Sequence, residues 1–295
     1  MESKSTQANL FLLLTAVIWG GGFVAQRLGM QVIGPFMFNG FRFLIGGLTL
    51  LPVIFLRRKR VDESPASTKQ ILLIGCAAGL LLFFGATFQQ LGLVYTTAGK
   101  AGFITGLYVI IVPLLGIIWG DKAPISTWLG AVLAVIGLYL LSATKGLNIA
   151  SGDGMVLIGA FFWAFHVQFI ARFSPRIDPI QLSFVQSIFT SMISFAVGFA
   201  REPFVSSQVI SAVMPILYGG VISIGIAYTL QIVAQRNAKP SHAAIILSLE
   251  SVFAVFLGWL ILGELLSPRI ILGCLLMLSG MMVSQIHPRE SDKVV

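Results

Sequence analysis

Landmark residues of the first half of this chain return in the second half at a nearly constant interval. Trp19, Pro35 and Gly75 recur 144 positions later as Trp163, Pro179 and Gly219. Gly120-Asp121, Gly130 and Gly137 recur 143 positions later as Gly263-Glu264, Gly273 and Gly280. The two copies occupy 8–143 and 154–286, and each holds five apolar segments. An odd number of membrane crossings leaves the second copy upside down relative to the first. Inverted duplication of this kind is an architecture of secondary transporters.

The chain is 57% hydrophobic and only 10% charged, which excludes a soluble globular domain. Its apolar pattern predicts helices at about 8–27, 36–56, 70–94, 99–119, 125–143, 154–173, 179–200, 208–232, 240–263 and 269–286. Most approach the ~20 residues a spanning helix needs. Pro35, Pro124, Pro179, Pro240 and Pro268 fall at predicted starts, where the missing N–H costs nothing. The expected fold is therefore an all-α integral membrane protein of ten transmembrane helices in two inverted five-helix repeats. The first apolar run lacks a small-residue cleavage site and reads as a retained helix.

The net charge of +8 is spread over loops, so it sets topology and gives no sign of a nucleic-acid partner. With the N-terminus cytoplasmic, the inside segments carry 13 basic residues, among them Arg57, Arg58, Lys59, Arg60 and Lys69 in one loop. The outside loops carry 5: Arg27, Lys100, Lys145, Arg201 and Arg269. The positive-inside rule then places both termini in the cytoplasm. Cys76 and Cys274 lie in apolar segments and read as packing residues. Gly130/Gly137 and Gly273/Gly280 mark the fifth and tenth helices as a packing scaffold. Gly20-Gly21-Gly22 weakens the first helix, which leaves either a locally unwound gate or a close-packed contact.

The polar residues inside the spans are the functional candidates. Glu250 is the only carboxylate within a predicted span. A charge at mid-bilayer costs at least ~2.5 kcal/mol and faces a cavity or a partner. Glu250 is therefore either a proton-coupling or cation-binding group, or the partner of Arg42. Arg42 lies about six residues, roughly 9 Å, into the second helix. Glu250 lies about ten residues, roughly 15 Å, into the ninth, so pairing is geometrically open. Trp19, Tyr108 and Trp163 sit near mid-span and suit the walls of an amphipathic cavity for small organic solutes. His166 follows Trp163 by one helical turn and is either a titrating group or a hydrogen-bonded core histidine. Gln89 and Gln231 lie in equivalent helices and need hydrogen-bond partners, from the pathway or from a neighbouring helix. Thr105 and Ser248 stand at equivalent positions and either bind a ligand or bond their own backbone. No metal-ligand spacing, phosphate loop or nucleophile–base pair appears, so neither cofactor nor enzymatic activity is expected.

Several stretches resemble the drug/metabolite transporter superfamily, EamA-type ten-helix branch. They are AVIWGGGFVAQRLG from Ala16, FNGFRFLIGG from Phe38, TTAGKAGFITGLYVIIVPLLGIIWGD ending at Asp121, and SHAAIILSLESVFAVFLGWLILGE from Ser241. The resemblance covers about 8–286. It implies a central cavity of helices 1, 3, 4, 6, 8 and 9, with helices 5 and 10 at the edge. It implies export of amino acids, metabolites or toxic compounds, by alternating access, from a chain embedded in the lipid bilayer of the bacterial inner membrane. A proton is the expected coupling partner, and a monomer suffices. The alternative is a non-transporting assembly or sensor component of the membrane. Many relatives have a proline near the segment that here reads Leu249-Glu250-Ser251, so nothing in the sequence calls for a kink in the ninth helix. Pro113 calls for one in the fourth.

Overall fold

A computed structural model describes residues 2–56, 66–95, 98–121, 123–142, 151–263 and 267–284, which are helical and contain no strand. In chain order come α1 (Glu2–Gly29), α2 (Pro35–Leu48, continued by Leu51–Leu56) and α3 (Thr68–Tyr95). Next are α4, in two arms (Ala98–Gly106 and Tyr108–Ile118), and α5 (Ile125–Ser142). The second half holds α6 (Ser151–Phe173), α7 (Pro179–Arg201) and α8 (Ser206–Ser211, Val213–Leu217, Tyr218–Tyr228 and Thr229–Gln235). It ends with α9, again in two arms (Pro240–Leu247 and Glu250–Leu262), and α10 (Pro268–Ser284). Seven of these helices are long and apolar enough to cross a membrane. Ile104–Ile118, Ile125–Gly137 and Pro268–Ser284 are shorter apolar helices. The basic loop at 57–65, the loop residue Lys122 and the carboxylate Glu264 lie outside the described residues.

Local sequence explains the ends. Proline opens α2, α7, the first arm of α9, and α10. Asp178 caps α7 by accepting from the amides of Ile180 (3.0 Å) and Gln181 (3.1 Å). Gly120 (φ +85°) follows α4 and Gly263 (φ +68°) follows α9, each in the left-handed region that favours glycine.

Helices at equivalent places in the two copies pack against each other and run antiparallel. Gly130 of α5 meets Gly280 of α10, and Gly137 meets Gly273, so residue numbers rise along one helix as they fall along the other. A methyl group on Gly130, Gly137 or Gly280 would lie 2.6 Å from the carbonyl oxygen opposite. The α2/α7 pair repeats the pattern, with Gly40 under Phe195 and Gly47 under Ile188. The remaining contacts exchange under the same operation: α1 touches α8 and α9, and α6 touches α3 and α4.

In one helix the structure decides an open alternative, and in two it departs from expectation. First, α1 is unbroken through Gly20-Gly21-Gly22. Gly20 is pressed against Phe253, where an added Cβ would sit 2.5 Å away, and Tyr218 donates to the Ile18 carbonyl at 2.9 Å beside Gly21. The glycines serve close packing, not unwinding. Second, α9 breaks without a proline. Leu249 N–H bonds the Ile246 carbonyl (3.2 Å), a tightened three-residue turn, and the Ser248 hydroxyl competes for the Ile245 carbonyl at 2.8 Å. In α4 the matching break falls at Leu107, whose N–H bonds Ile104 (3.2 Å), six residues before Pro113. Third, α8 contains a π-helical stretch, Tyr218–Tyr228, where a regular helix was expected. Its glycines sit against α2: a Cβ on Gly220 would meet Ile45 at 2.8 Å. Wide turns of this kind concentrate at functional sites.

The α5/α10 crossing gives a stability prediction. Gly280→Val overfills a backbone contact and should lower unfolding stability by about 1–3 kcal/mol. Gly154→Ala meets no atom within 4 Å and should leave stability equal or raise it by up to about 1 kcal/mol through helix propensity. Thermal unfolding of both variants in detergent checks the pair; equal midpoints would refute the crossing.

Candidate functional site

One cavity lies where the two copies meet. Its wall is built by Trp19, Phe23 and Gln26 of α1, Arg42 of α2, Gln89 of α3, Thr105 and Tyr108 of α4, and Trp163 and Val167 of α6. Ser223, Ile224, Tyr228 and Gln231 of α8 and Leu247 and Glu250 of α9 complete it. The cavity measures about 40 Å³. A water needs ~10–15 Å³ on this measure, and sites for drug-sized molecules run to ~300–1,000 Å³. An organic solute therefore enters only if the walls separate.

Of the residues singled out from sequence, Trp19, Arg42, Gln89, Thr105, Tyr108, Trp163, Gln231 and Glu250 come together here. Two do not. His166 is fully buried behind the wall, with Nε2 3.2 Å from the Gln186 side-chain oxygen and its ring 6.0 Å from Tyr228. Ser248 is spent on its own backbone. Arg42 brings α2 into the wall, a helix absent from the expected cavity set.

The arrangement also settles how Arg42 and Glu250 stand. Among the described residues no ion pair joins them. Arg42 Nε donates to the Asn39 side-chain oxygen at 2.9 Å, and its guanidinium lies 5.6 Å from the Phe38 ring and 5.2 Å from Phe43. Tyr228 is within electrostatic reach of both charges. The Tyr108 hydroxyl approaches Glu250 without reaching hydrogen-bonding geometry. The expected alternative, a fixed pair, is thus not formed: Asn39 and two rings anchor Arg42.

The aromatic wall is rigid and two-fold in plan. Trp19 of α1 donates Nε1–H to the Ser223 carbonyl of α8 (3.2 Å), and Trp163 of α6 donates to the Gln89 side chain of α3 (2.8 Å). Each indole is held by the equivalent helix of the other copy. Between them stands Tyr228, 4.7 Å from Trp19 and 6.1 Å from Trp163 by ring centroids. Sequence reasoning passed over Tyr228, Ser223 and Gln26. Tyr228 precedes Gln231 by three residues on a helix, a spacing that places both on one face. Ser223 contributes a backbone carbonyl, which leaves no mark in a sequence. The Gln26 and Gln231 side-chain oxygens and the Thr105 and Tyr108 hydroxyls make no hydrogen bond to the protein. Buried groups of that kind are suited to a polar ligand. No group of three His, Cys, Asp or Glu fit for a metal occurs among the described residues.

Beyond the cavity, along α6, the packing is apolar. Leu12, Val112, Ala164, Val167, Ala244 and Leu247 pack into one apolar plug. Past the plug, Arg172 pairs with Asp121 at 2.8 Å, lies 4.7 Å over the Trp119 ring and bonds Gln168. Gln168 in turn donates to the Val112 carbonyl at 2.7 Å. Trp119 is thus the platform for that arginine.

Apolar helices long enough to cross a membrane, around a small cavity of mixed polar and aromatic lining, fit a multi-pass membrane protein of the transporter class. Comparison with known proteins agrees. The EamA-like transporter family matches residues 6–143 and again 150–285, and the chain belongs to that family. It is a membrane transporter and not an enzyme. It is 34% identical over 283 residues to an uncharacterized transporter of Archaeoglobus fulgidus, covering 95% of this chain and 86% of the relative. It is 26% identical to the uncharacterized transporter YoaV of Bacillus subtilis, covering 93% and 95%. It is also 26% identical to the uncharacterized inner membrane transporter YedA of Escherichia coli, covering 85% and 81%. One solved crystal structure superposes with a TM-score of 0.76 at 19% identity, covering 95% of this chain and 96% of the other, a likeness of fold.

The Trp163–Gln89 bond can be tested as a unit. Gln89→Leu strands the N–H of a half-buried indole and should destabilise by about 1 kcal/mol. Adding Trp163→Phe removes the stranded donor and should recover part of that loss. A double-mutant cycle on thermal stability reads the coupling, and strict additivity would contradict the bond.

Proposed function

We propose that the chain is a secondary transporter that exports small organic solutes or metabolites, amino acids among them, by alternating access. In this reading 8–143 and 154–286 are inverted five-helix repeats, both termini are cytoplasmic, and the membrane is the bacterial inner membrane. One observation carries the proposal: a single polar and aromatic cavity at the junction of the two copies, lined by an arginine and a carboxyl group that no ion pair joins. The antiparallel α5/α10 crossing supports inversion, the basic bias of the loops supports the orientation, and the printed name of the Escherichia coli relative supports the location. Export rests on the resemblance to exporters.

Alternating access requires that one end of the cavity be sealed while the other opens. The plug around Leu12 and Val112 and the Arg172–Asp121 pair form the seal on the side that the charge bias assigns to the cytoplasm. Glu250 is the group through which a proton or cation couples to the cycle, since it is a carboxylate buried in the cavity without a fixed cationic partner.

Purified protein in proteoliposomes should move labelled solutes from a panel of amino acids and organic cations and anions down an imposed gradient. Glu250→Gln should abolish the acceleration given by a pH gradient while leaving the protein abundant and folded. Unchanged pH-driven flux in this variant would remove Glu250 from coupling. Absence of flux for the whole panel in folded protein would overturn the transport reading.

The seal makes its own prediction. Arg172 and Asp121 are 26% and 49% exposed, so losing the pair should cost no more than about 1 kcal/mol of stability. Asp121→Asn should nonetheless weight the equilibrium toward the cytoplasm-open form. In a background free of Cys76 and Cys274, Leu12→Cys should then react faster with a membrane-impermeant thiol reagent applied from that side. An unchanged rate would show that the pair is not part of the seal.

A further inference from the structure

A second recess shares no residue with the central cavity and lies on the side that the loop charge assigns to the cytoplasm. It opens between the start of α3 and the connection from α6 to α7, and measures about 490 Å³. That is within the ~300–1,000 Å³ of small-molecule sites, so a ligand fits without movement of the helices. The floor is apolar: Ile74 and Ile177 belong to the cluster that packs α3 against α6 and α7. The rim is polar, with Gln70 on α3, Arg172 in the last turn of α6, and Arg176 just beyond it.

Both charges on the rim are cationic. Two carboxylates at this end of the helices are committed elsewhere: Asp178 accepts from the amides that open α7, and Asp121 pairs with Arg172. Two guanidinium forks above an apolar floor match a phosphate that carries a hydrocarbon tail. The recess also borders surface that faces lipid, for Leu72, Leu73 and Phe173 are exposed apolar side chains on the same stretches of α3 and α6. Basic clefts between spanning helices on the cytoplasmic side are suited to anionic headgroups.

We infer that this recess binds the phosphate of an anionic phospholipid, with Arg172 and Arg176 on the headgroup and the acyl chains along Ile74 and Phe173. Each arginine beside an anionic headgroup strengthens binding roughly fivefold. Arg172 also belongs to the inner seal, where its guanidinium meets Asp121, Gln168 and the face of Trp119. A phosphate in the recess competes with Asp121 for that one guanidinium. Bound lipid therefore loosens the seal and shifts the protein toward the form open on that side. This consequence rests on the reading of the seal given above, whereas the binding site does not.

The test uses full-length protein. In detergent, native mass spectrometry and thermal shift should show phosphatidylglycerol held roughly tenfold or more tighter than phosphatidylcholine. Arg176→Gln should cost roughly fivefold of that affinity. Gln70→Glu keeps the acceptor that Gln70 gives the Ser67 amide (2.9 Å), and so the helix start, but sets a carboxylate in the recess and should weaken phosphatidylglycerol as well. Lys69→Gln, on the exposed surface outside the recess, should leave binding nearly unchanged. Equal affinity for the two lipids, or equal losses in Lys69→Gln and Arg176→Gln, would overturn the site. The comparison of lipids on unaltered protein stands even where a variant fails to fold. Inorganic phosphate and glycerophosphoglycerol separate the sources: either one binding as tightly as the lipid would overturn the lipid in favour of a soluble phosphate. In liposomes, Leu12→Cys in the background free of Cys76 and Cys274 should react faster from the cytoplasmic side when phosphatidylglycerol replaces part of the phosphatidylcholine. Adding Gln70→Glu should remove that difference. Unchanged reactivity with lipid bound would overturn the link to the seal. Neither readout needs solute flux, so failure of the transport reading shows separately in the solute panel.

Discussion

A bilayer interior has no water to offer a backbone amide, so a spanning chain closes its hydrogen bonds within helices. It also gives helices little hydrophobic reason to associate, because lipid tails are as apolar as leucine. Assembly then depends on how closely backbones approach. Here the approach is set by glycine at the crossings: Gly130 on Gly280, Gly137 on Gly273, Gly40 and Gly47 under α7, and Gly219, Gly220 and Gly225 under α2. Where the glycines recur between copies, the crossings pair the copies antiparallel. Everything nearer the centre inherits its placement from these contacts.

The central cavity is where the two copies cease to agree. Around it the plan is still two-fold, with Trp19 and Trp163 each held by the other copy's helix. The chemistry is not. One indole bonds a main-chain carbonyl and the other a glutamine side chain. Arg42 faces a cavity while its counterpart Gln186 bonds His166, and Glu250 answers to Leu107. A symmetric frame supplies two equivalent ways to open. Departures from symmetry supply one set of ligand contacts to be reached by both.

Much of this was legible in the sequence because apolar length, loop charge and repeated glycines are one-dimensional signals. Eight of the ten residues chosen as polar or aromatic groups at mid-span do converge on the cavity. What was left open or missed shares a cause. Whether Arg42 would reach Glu250 depended on rotamers fixed by Asn39, Phe38 and Phe43, which no spacing records. The triple glycine of α1 permits either unwinding or contact, and only Phe253 and Tyr218 decide for contact. The π-helical stretch of α8 arises from packing against α2 and α1, so its turn count is a tertiary property. The break in α9 is hidden because it is made by a serine hydroxyl and a three-residue turn, and no proline marks it.

That break bears on the central charge. The second arm of α9 starts at Glu250, and the tightened turn before it keeps its amides bonded, Leu249 N–H to Ile246, Ser251 N–H to Ser248 and Phe253 N–H to Leu249. Glu250 thus stands in the wall without a cationic partner, while Arg42 is held by Asn39. The equivalent break in α4 begins its second arm at Tyr108, so a hydroxyl faces the carboxylate from the other copy. The frame makes the same interruption twice, and the chain has placed a charge at only one of them.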